Sequence, residues 1–478
     1  MTRGTLRIAF LHPDLGIGGA ERLVVDAALG LQRLGHNVDI YTSHWDPNHC
    51  FEETKDGYSG SLSVHYIKPP FPRSIGGKFH ILCAHARQLH LITHLLLSGA
   101  PSYDVYFVDQ LSTCVPFLRA IGKTRVVFYC HFPDKLLANG AFVDGELVKA
   151  QGSLQKRLYR YPMDLLEEVT TRQADVILAN SKFTARVFTS YFPSISCNPT
   201  VVYPGINIQA YLAQVDLNDP EISKISSSRP TLLSLNRFEK KKNAALAVKS
   251  FALLKRKSLS ARGLRLVLAG GYDPRLRDNI ETLDSLIKLA KDYSLTYTLE
   301  APAISTVPIP PHTKSPSPDV LFLLNFTTAQ RTALLNSPST KLLLYTPANE
   351  HFGIGPVEGM VCGVPILACN SGGPTESVID DSDDMRTGWL RPPDPETWAD
   401  TLQEILSLSS KDREKLSTRG RQRAREHFSL DAMAKGVEEA LLDAVALGNV
   451  DNDHFKLTVV LAGLIVTYIA VLFVFPSH

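Results

Sequence analysis

Glu350 and Glu358 stand eight positions apart around the turn Phe352-Gly353-Ile354-Gly355-Pro356. The turn follows an apolar run, Leu342 to Tyr345, and proline is favoured at the first position of a helix. The segment therefore reads as strand, turn and helix. Backbone N–H groups from Gly353 through Ile354 to Val357 would emerge at the helix start, where the positive end of the dipole favours a phosphate. Glu358, just inside the helix, is placed to accept hydrogen bonds from ribose hydroxyls, and Glu350, on the strand side, to hold the hydroxyls of a second sugar. Spacing alone would fit a solvated helix face; the glycines, the proline and the apolar run together favour the strand–turn–helix element.

A phosphate-bearing ligand also needs cations. The segment Asn236-Arg237-Phe238-Glu239-Lys240-Lys241-Lys242-Asn243 follows a second apolar run, Thr231 to Leu235. Arg237 can clamp two phosphate oxygens in a fork, and Lys242 can act as a point charge. Both would stabilise negative charge growing on a leaving diphosphate, while Lys240 and Lys241 read as a solvated turn. No Asp-x-Asp pair accompanies a strand end in the manner of a divalent-cation site, and Asp380-Asp381 and Asp383-Asp384 read as solvated loop charge. No cofactor and no divalent metal are expected at this site.

These residues need elements that bring them to one edge. Leu6 to Leu11 reads as a strand, Gly16-Ile17-Gly18-Gly19 as a turn, and Ala20 to Leu34 as a helix burying Leu23, Val24, Ala27 and Leu31 and closed by Gly35. With Val38 to Thr42 this forms the βαβ opening of a doubly wound parallel sheet. Further strands are predicted at Val105 to Val108, Val126 to Cys130, Val176 to Ala179 and Thr200 to Tyr203. After a polar linker, residues 216–230, a second train begins. Its strands are Thr231 to Leu235, Leu264 to Ala269, Leu342 to Tyr345 and Pro365 to Cys369, alternating with helices near Ala244 to Lys257, Leu276 to Asp292 and Gly355 to Cys362. The expectation is an α/β fold of two Rossmann-like, doubly wound domains, residues 1–215 and 231–447, facing a central cleft lined by the carboxyl ends of the strands. Ala301 to Asp319, with six prolines, is expected to be an exposed or disordered insert. Ile81 to Leu97 reads as a helix lying on the core or on a membrane surface.

At 478 residues, two domains are expected. A net charge of +2 argues against nucleic acid as a partner, and seven cysteines without a CxxC pair argue against a zinc site or a disulfide framework. The first strand is too short and too quickly followed by glycines to be a secretory leader. Leu457 to Phe475 is 19 residues without a charge and reads as a transmembrane helix that leaves the preceding body cytosolic.

Over about Leu6 to Ala446 the chain resembles the retaining glycosyltransferases of the GT-B fold, glycosyltransferase family 4. Glu350 and Glu358 match the family's paired-glutamate motif, Arg237 and Lys242 its diphosphate-binding pair, and Gly18 and Gly19 its first-domain glycine loop. The segments Gly18-Gly19-Ala20-Glu21-Arg22, Cys130-His131-Phe132-Pro133-Asp134, Ala269-Gly270-Gly271-Tyr272-Asp273 and Asn349-Glu350-His351-Phe352-Gly353-Ile354 are similar to the mannosyltransferase branch that assembles dolichol-linked oligosaccharide. The resemblance implies GDP-mannose as donor and an acceptor of one mannose and two N-acetylglucosamines on dolichyl diphosphate. It implies α-1,3 and then α-1,6 addition with retained configuration and no residue acting as nucleophile. It assigns catalysis to Glu350, His131, Arg237 and Lys242, with His131 opposite Glu350 orienting the transferred sugar. Donor binding falls to Glu358, Gly353, Ile354, Gly18, Gly19 and Gly271, with Asn370 to Pro374 and Glu376 lining the donor site. The first domain would hold the acceptor and the second the donor. The implied setting is the cytosolic side of the endoplasmic reticulum membrane, beside other mannosyltransferases of the same assembly line. A relative using another nucleotide sugar, or a non-catalytic scaffold, are the competing readings.

Overall fold

The computed structural model describes residues 4–450, apart from 56–61, 77–78, 98, 138–141, 144–145, 148–153 and 313–314. The chain forms two compact units. One runs to Gly205 and resumes at Leu430, and the other is Ile206–Ser429.

The first unit is built on seven parallel strands: β1 (Arg7–His12), β2 (Asn37–Thr42), β3 (Ser63–Tyr66), β4 (Val105–Asp109), β5 (Arg125–Cys130), β6 (Val176–Ala179) and β7 (Thr200–Val201). Their order is β3-β2-β1-β4-β5-β6-β7, all parallel. A parallel sheet is covered on both faces, which is why β1, β4 and β5 are nearly unbroken apolar runs. Ile8 pairs with Val38 on one side and with Val105 on the other, so β1 is the strand at which the sheet's winding reverses. Helix α1 (Gly19–Arg33) buries Leu23, Val24, Ala27 and Leu31, the face its spacing predicts. Helix α2 (His80–Leu97) packs Leu91, Ile92 and Leu95 against the other face of the sheet, so of its two expected positions it takes the core one. Its His85 is buried on Thr113 Oγ1 at 2.6 Å, and burial pushes the imidazole down to about 4, a neutral packing residue.

The second unit repeats the plan with β8 (Thr231–Leu235), β9 (Arg265–Gly270), β10 (Tyr297–Glu300), β11 (Val320–Leu324), β12 (Thr340–Tyr345), β13 (Ile366–Cys369) and β14 (Gly388–Arg391). The order is β10-β11-β9-β8-β12-β13-β14, again parallel throughout. The winding reverses at β8, between β9 and β12. Helices α3 (Ala244–Lys257), α4 (Arg277–Asp292), α5 (Thr328–Asn336) and α6 (Ile354–Cys362) lie between the strands in sequence.

One expectation is refined and two change. The described residues of 301–319 have no helix or strand and are largely exposed or half-buried, as expected, but they are tied to the edge strand β10: His312 Nε2 accepts from Leu299 N–H at 3.1 Å, and Ser315 N–H donates to Thr298 Oγ1 at 3.1 Å. Prolines suit this place because the segment shields a strand edge, whose free backbone groups would otherwise pair with another chain. Second, residues 206–215 fold with the second unit. Third, the last described helix, α7 (Leu430–Ala446), returns to the first unit instead of completing the second. Met433, Val437, Leu441 and Ala444 join the core cluster that contains α1. Gly30 permits this approach, since a Cβ there would stand 2.5 Å from the Cβ of Ala434. Glu438 meets His36 at 3.1 Å in the same buried layer. The predicted transmembrane segment 457–475 lies outside the described residues, and no helix among the described residues is long and apolar enough to cross a membrane.

Candidate active site

In the second unit the two segments singled out by their chemistry leave neighbouring strands, β8 and β12, at the point where the winding reverses. The loop after β8 closes in a short turn, Lys240–Lys242, ending at Asn243 with φ of 48°, and Thr346 Oγ1 donates to Lys242 O at 2.7 Å. That bond moors the basic loop to the end of β12. Lys242 Nζ and Glu350 Oε2 then form a direct ion pair, with side chains only 12% and 23% exposed. Burial drives the Glu350 carboxyl upward, but Lys242 chiefly, then His351 and Lys241, outweigh it and hold it below the usual carboxylate value. Glu350 is thus an anion at neutral pH, one oxygen fixed by an ammonium and approached by Tyr345 Oη at 3.4 Å.

Glu350 owes its position to the loop after β13. Gly373 N–H donates to Glu350 O at 2.8 Å, and Asn349 N–H to Ser371 Oγ at 3.0 Å. A Cβ on Gly373 would lie 2.0 Å from Phe352 O, and one on Gly372, whose φ is +67°, 2.4 Å from Glu350 O. Residues 370–374, expected to line the donor site, buttress the backbone that presents Glu350. Gly353 caps α6 with φ of +79° over the Tyr345 ring, and Ile354 is the first residue of the helix.

Glu358, on α6, is 8% exposed. Its Oε1 accepts from Tyr211 Oη at 2.5 Å and from Arg331 Nη1 at 3.1 Å, and the Arg331 guanidinium lies 4.4 Å over the Tyr211 ring. Oε2 takes no hydrogen bond from the described residues. Arg237 stands apart from the Lys242–Glu350 pair: it is 61% exposed and pairs with Glu239 at 2.8 Å. Its backbone crosses Gly270 and Gly271 closely, a Cβ on Gly270 falling 1.8 Å from Asn236 O and one on Gly271 3.3 Å from Arg237 Cγ.

His131, Gly18 and Gly19 belong to the first unit. His131 Nε2 contacts Asp109 Oδ2 at 3.0 Å, and the other oxygen of Asp109 meets His12 Nδ1 at 2.7 Å. The three residues follow or end β5, β4 and β1, so the reversal of the first sheet is occupied by His12–Asp109–His131. Burial opposes charge on His12, yet Asp109 outweighs it and raises the imidazole. Burial likewise lifts Asp109, and the two histidines more than reverse that, holding it ionised. Asn180 Nδ2 donates to His131 O at 2.9 Å, fixing the backbone, while Nδ1 has no partner among the described residues. Gly18 caps α1, and a Cβ on it would lie 2.1 Å from Glu21 Oε2; nothing lies within 4 Å of one on Gly19.

Residues 17–210 match the profile of Glycosyltransferase Family 4, and residues 315–423 that of Glycosyl transferases group 1. The alpha-1,3/1,6-mannosyltransferase ALG2 of Rhizomucor pusillus is 46% identical over 449 residues, covering 93% of each chain. The chain belongs to glycosyltransferase family 4, in the branch of the alpha-1,3/1,6-mannosyltransferases. The Saccharomyces cerevisiae member of that branch is 40% identical over 440 residues, 90% of this chain and 84% of that protein. Among solved structures, sucrose-phosphate synthase from Thermosynechococcus elongatus aligns with a TM-score of 0.67 at 19% identity, covering 93% of this chain and all of that one. The catalytic domain of starch synthase IV from Arabidopsis thaliana aligns with a TM-score of 0.64 at 16% identity, with the same coverage. At these identities the likeness is one of fold, the GT-B type that the family uses.

In this family 4 chain the sequence reading passed over Asp109, His12, Tyr211, Arg331 and Glu239. Asp109 and His12 each end an apolar parallel strand, a placement that marks the ligand edge of such sheets and was available as a signal. Tyr211 and Arg331 carry no such mark, because they reach Glu358 from elements distant in sequence. Among the described residues no group of three or more His, Cys, Asp or Glu side chains is disposed to hold a metal ion.

Proposed function

We propose that the chain transfers the α-1,3-linked and then the α-1,6-linked mannose from GDP-mannose to a one-mannose, two-N-acetylglucosamine oligosaccharide on dolichyl diphosphate, with retention of configuration. The two linkages rest on the names borne by relatives that share 40 to 46% of their residues with it. The seat of the donor rests on one observation, the Lys242–Glu350 pair at the winding reversal of the second sheet. A carboxylate fixed there as an anion is suited to accept hydrogen bonds from sugar hydroxyls. The ammonium beside it, with Arg237 and the first N–H groups of α6, supplies positive charge to the leaving diphosphate without requiring a divalent ion. Glu358, with Oε2 open, takes the ribose. In the first unit, which holds the acceptor, Asp109 fixes His131 through Nε2, so Nδ1 is the nitrogen left for a sugar hydroxyl. Residues 457–475 anchor the enzyme in the endoplasmic reticulum membrane, which confines it with its lipid-linked acceptor and raises their effective concentration.

The test is transfer of radiolabelled mannose from GDP-mannose to the synthetic lipid-linked trisaccharide, with linkages assigned by specific mannosidases. Two successive additions are expected, both lost in Glu350→Gln and neither impaired by a chelator. Use of a different nucleotide sugar, or a Glu350→Gln enzyme as active as the parent, would overturn the reading; the latter would point to a scaffold.

A further inference from the structure

At the carboxyl edge of the first sheet, next to the end of β1 that carries His12, lies a cavity of about 190 Å³. Pro13 and Asp14 line it from the loop after β1, Ser43 from the loop after β2, Arg73 from the segment after β3, and His80 and Arg87 from α2. Ligands of a parallel sheet collect along this edge. The cavity is smaller than the roughly 300 Å³ that a drug-sized molecule needs, so it admits a compact headgroup and not a whole nucleoside diphosphate. Its charge is positive. Asp14 is paired with Arg73, whose side chain remains 55% exposed. Arg87 donates through Nη2 to Ser43 O at 2.8 Å and pairs with no carboxylate among the described residues. His80 opens α2, so the positive end of the helix dipole lies at the cavity as well.

Burial first, then the neighbouring Arg73, hold the Arg87 guanidinium below the ordinary arginine value, and Asp14 offsets them only in part. Two guanidiniums and a helix start against one carboxylate call for an anion, and two forks on one cavity suit an anion with more than one phosphoryl group. The rim of the cavity is apolar. Arg73 belongs to the segment Pro69-Pro70-Phe71-Pro72-Arg73-Ser74-Ile75. Two residues to either side of it, Phe71 is 44% and Ile75 56% exposed. The prolines fix φ along the segment, and the Phe71 ring meets the His90 ring of α2 edge-on at 6.4 Å, which ties the segment to the helix. A soluble phosphate gains nothing from exposed apolar side chains beside the arginine. A phosphate esterified to a hydrocarbon chain does.

We propose that this cavity binds the diphosphate of a polyprenyl-diphosphate-linked acceptor, with Arg73 and Arg87 as its donors and Phe71 and Ile75 against the first isoprene units. The proposal deepens the mannosyl-transfer reading and rests on it for the identity of the acceptor. It also gives the acceptor a direction. The diphosphate lies beside the ends of β1 and β2, and the sugars extend along the same edge toward His131 after β5.

The experiment is calorimetric titration of the full-length chain in nanodiscs of neutral lipid with farnesyl diphosphate and with inorganic pyrophosphate, GDP being present at saturation to fill the donor site. Saturable binding of farnesyl diphosphate is expected, with pyrophosphate weaker, and phosphatidylinositol in the nanodisc should not compete. Arg73→Gln and Arg87→Gln should each weaken both ligands about tenfold, the loss of a charge-assisted hydrogen bond. Phe71→Ser combined with Ile75→Ser should weaken farnesyl diphosphate several-fold and leave pyrophosphate as it was. These two residues and Arg73 are exposed, so they keep the test decisive if Arg87→Gln, which loses its tie to Ser43, fails to fold. In transfer, Arg73→Gln should raise the Michaelis constant for a phytanyl-diphosphate-linked trisaccharide about tenfold and leave that for GDP-mannose in place. If the parent binds farnesyl diphosphate in this way yet transfers no mannose, the mannosyl-transfer reading falls and the prenyl diphosphate site stands. If it transfers mannose but does not bind farnesyl diphosphate saturably, if Arg73→Gln binds as tightly as the parent, if the serine variant weakens both ligands alike, or if phosphatidylinositol competes, the proposal is overturned.

Discussion

Lys242→Met keeps the length of the side chain and removes its charge, so it isolates what the ammonium contributes. In the folded chain Lys242 is the largest influence opposing the burial of Glu350. Breaking a fully buried pair costs about 3–5 kcal/mol; with 23% of the Glu350 side chain still exposed, about 1–3 kcal/mol is expected here. For a unit of this size that corresponds to a fall in melting temperature of about 2–12 °C. Turnover should fall further, by about 10²–10³-fold, because the same ammonium faces charge that grows only in the transition state. The sign with pH follows from the depressed carboxyl. Its contribution to stability is full above the unfolded value of 4.5 and is lost as pH falls through the lower folded value, so the stability gap between parent and variant should close below about pH 4.5. The double variant with Glu350→Gln should lose less stability than the sum of the single variants, since the residues are in contact. Mannose transfer with the lipid-linked trisaccharide gives the rate, and thermal unfolding from pH 3 to 8 gives the stability. A variant within threefold of parental turnover, or a stability gap that widens as pH falls, would refute the assignment.

Asp109→Asn should cost about 10–100-fold in transfer while leaving the first unit folded, because an amide offers one acceptor oxygen to the two imidazoles and no longer holds the His131 ring as a carboxylate does. His12 is raised from 6.5 and Asp109 lowered from 3.8, so both are charged between those values. The stability advantage of the parent over Asp109→Asn should be greatest from about pH 4 to 6.5 and shrink on either side, as urea unfolding against pH would reveal. Gly373→Ala should destabilise the chain by about 1–3 kcal/mol and depress turnover, since its Cβ would meet Phe352 O at 2.0 Å; a variant with normal stability and rate would exclude a buttressing role for that loop. Tyr211→Phe should raise the Michaelis constant for the donor more than it lowers turnover, because Glu358 loses one of its two hydrogen bonds; steady-state kinetics separate the two effects. Deleting residues 451–478 should move the chain from the membrane pellet to the supernatant, and retention in the pellet would remove the anchoring role of 457–475.

Those elements whose apolar runs are buried on both faces were legible in the sequence. β8, for which all five residues are buried, was placed to the residue, and α3 likewise. β3 and β10 were not, because edge strands need not be apolar: Ser63–Tyr66 is four residues long and none of them is buried. β11, five consecutive apolar residues before Asn325, is readable in principle and is masked by the proline-rich stretch preceding it. Of the site, Glu350 and Lys242 could be inferred to share one sheet edge because each follows an apolar strand. That they touch depends on which strands are neighbours, and sequence order does not fix it. The same limit hid Asp109: its partners sit 97 positions before and 22 after it, and only the strand order β1-β4-β5 brings them together. Proline content marked 301–319 as an exposed segment but gave no sign that its backbone and His312 are used along a sheet edge.

The return of α7 to the first unit bears on how the chain is made. The ribosome finishes the whole of the second unit before it releases the helix that completes the first. Until then the faces of α1 and its sheet that receive Val437 and Leu441 have no native cover. A nascent chain stalled near residue 430 would carry a finished insert within an unfinished host, exposing apolar surface of the sort that chaperones hold. Premature stop codons late in the gene should therefore abolish the first unit, although every strand of its sheet has already been translated.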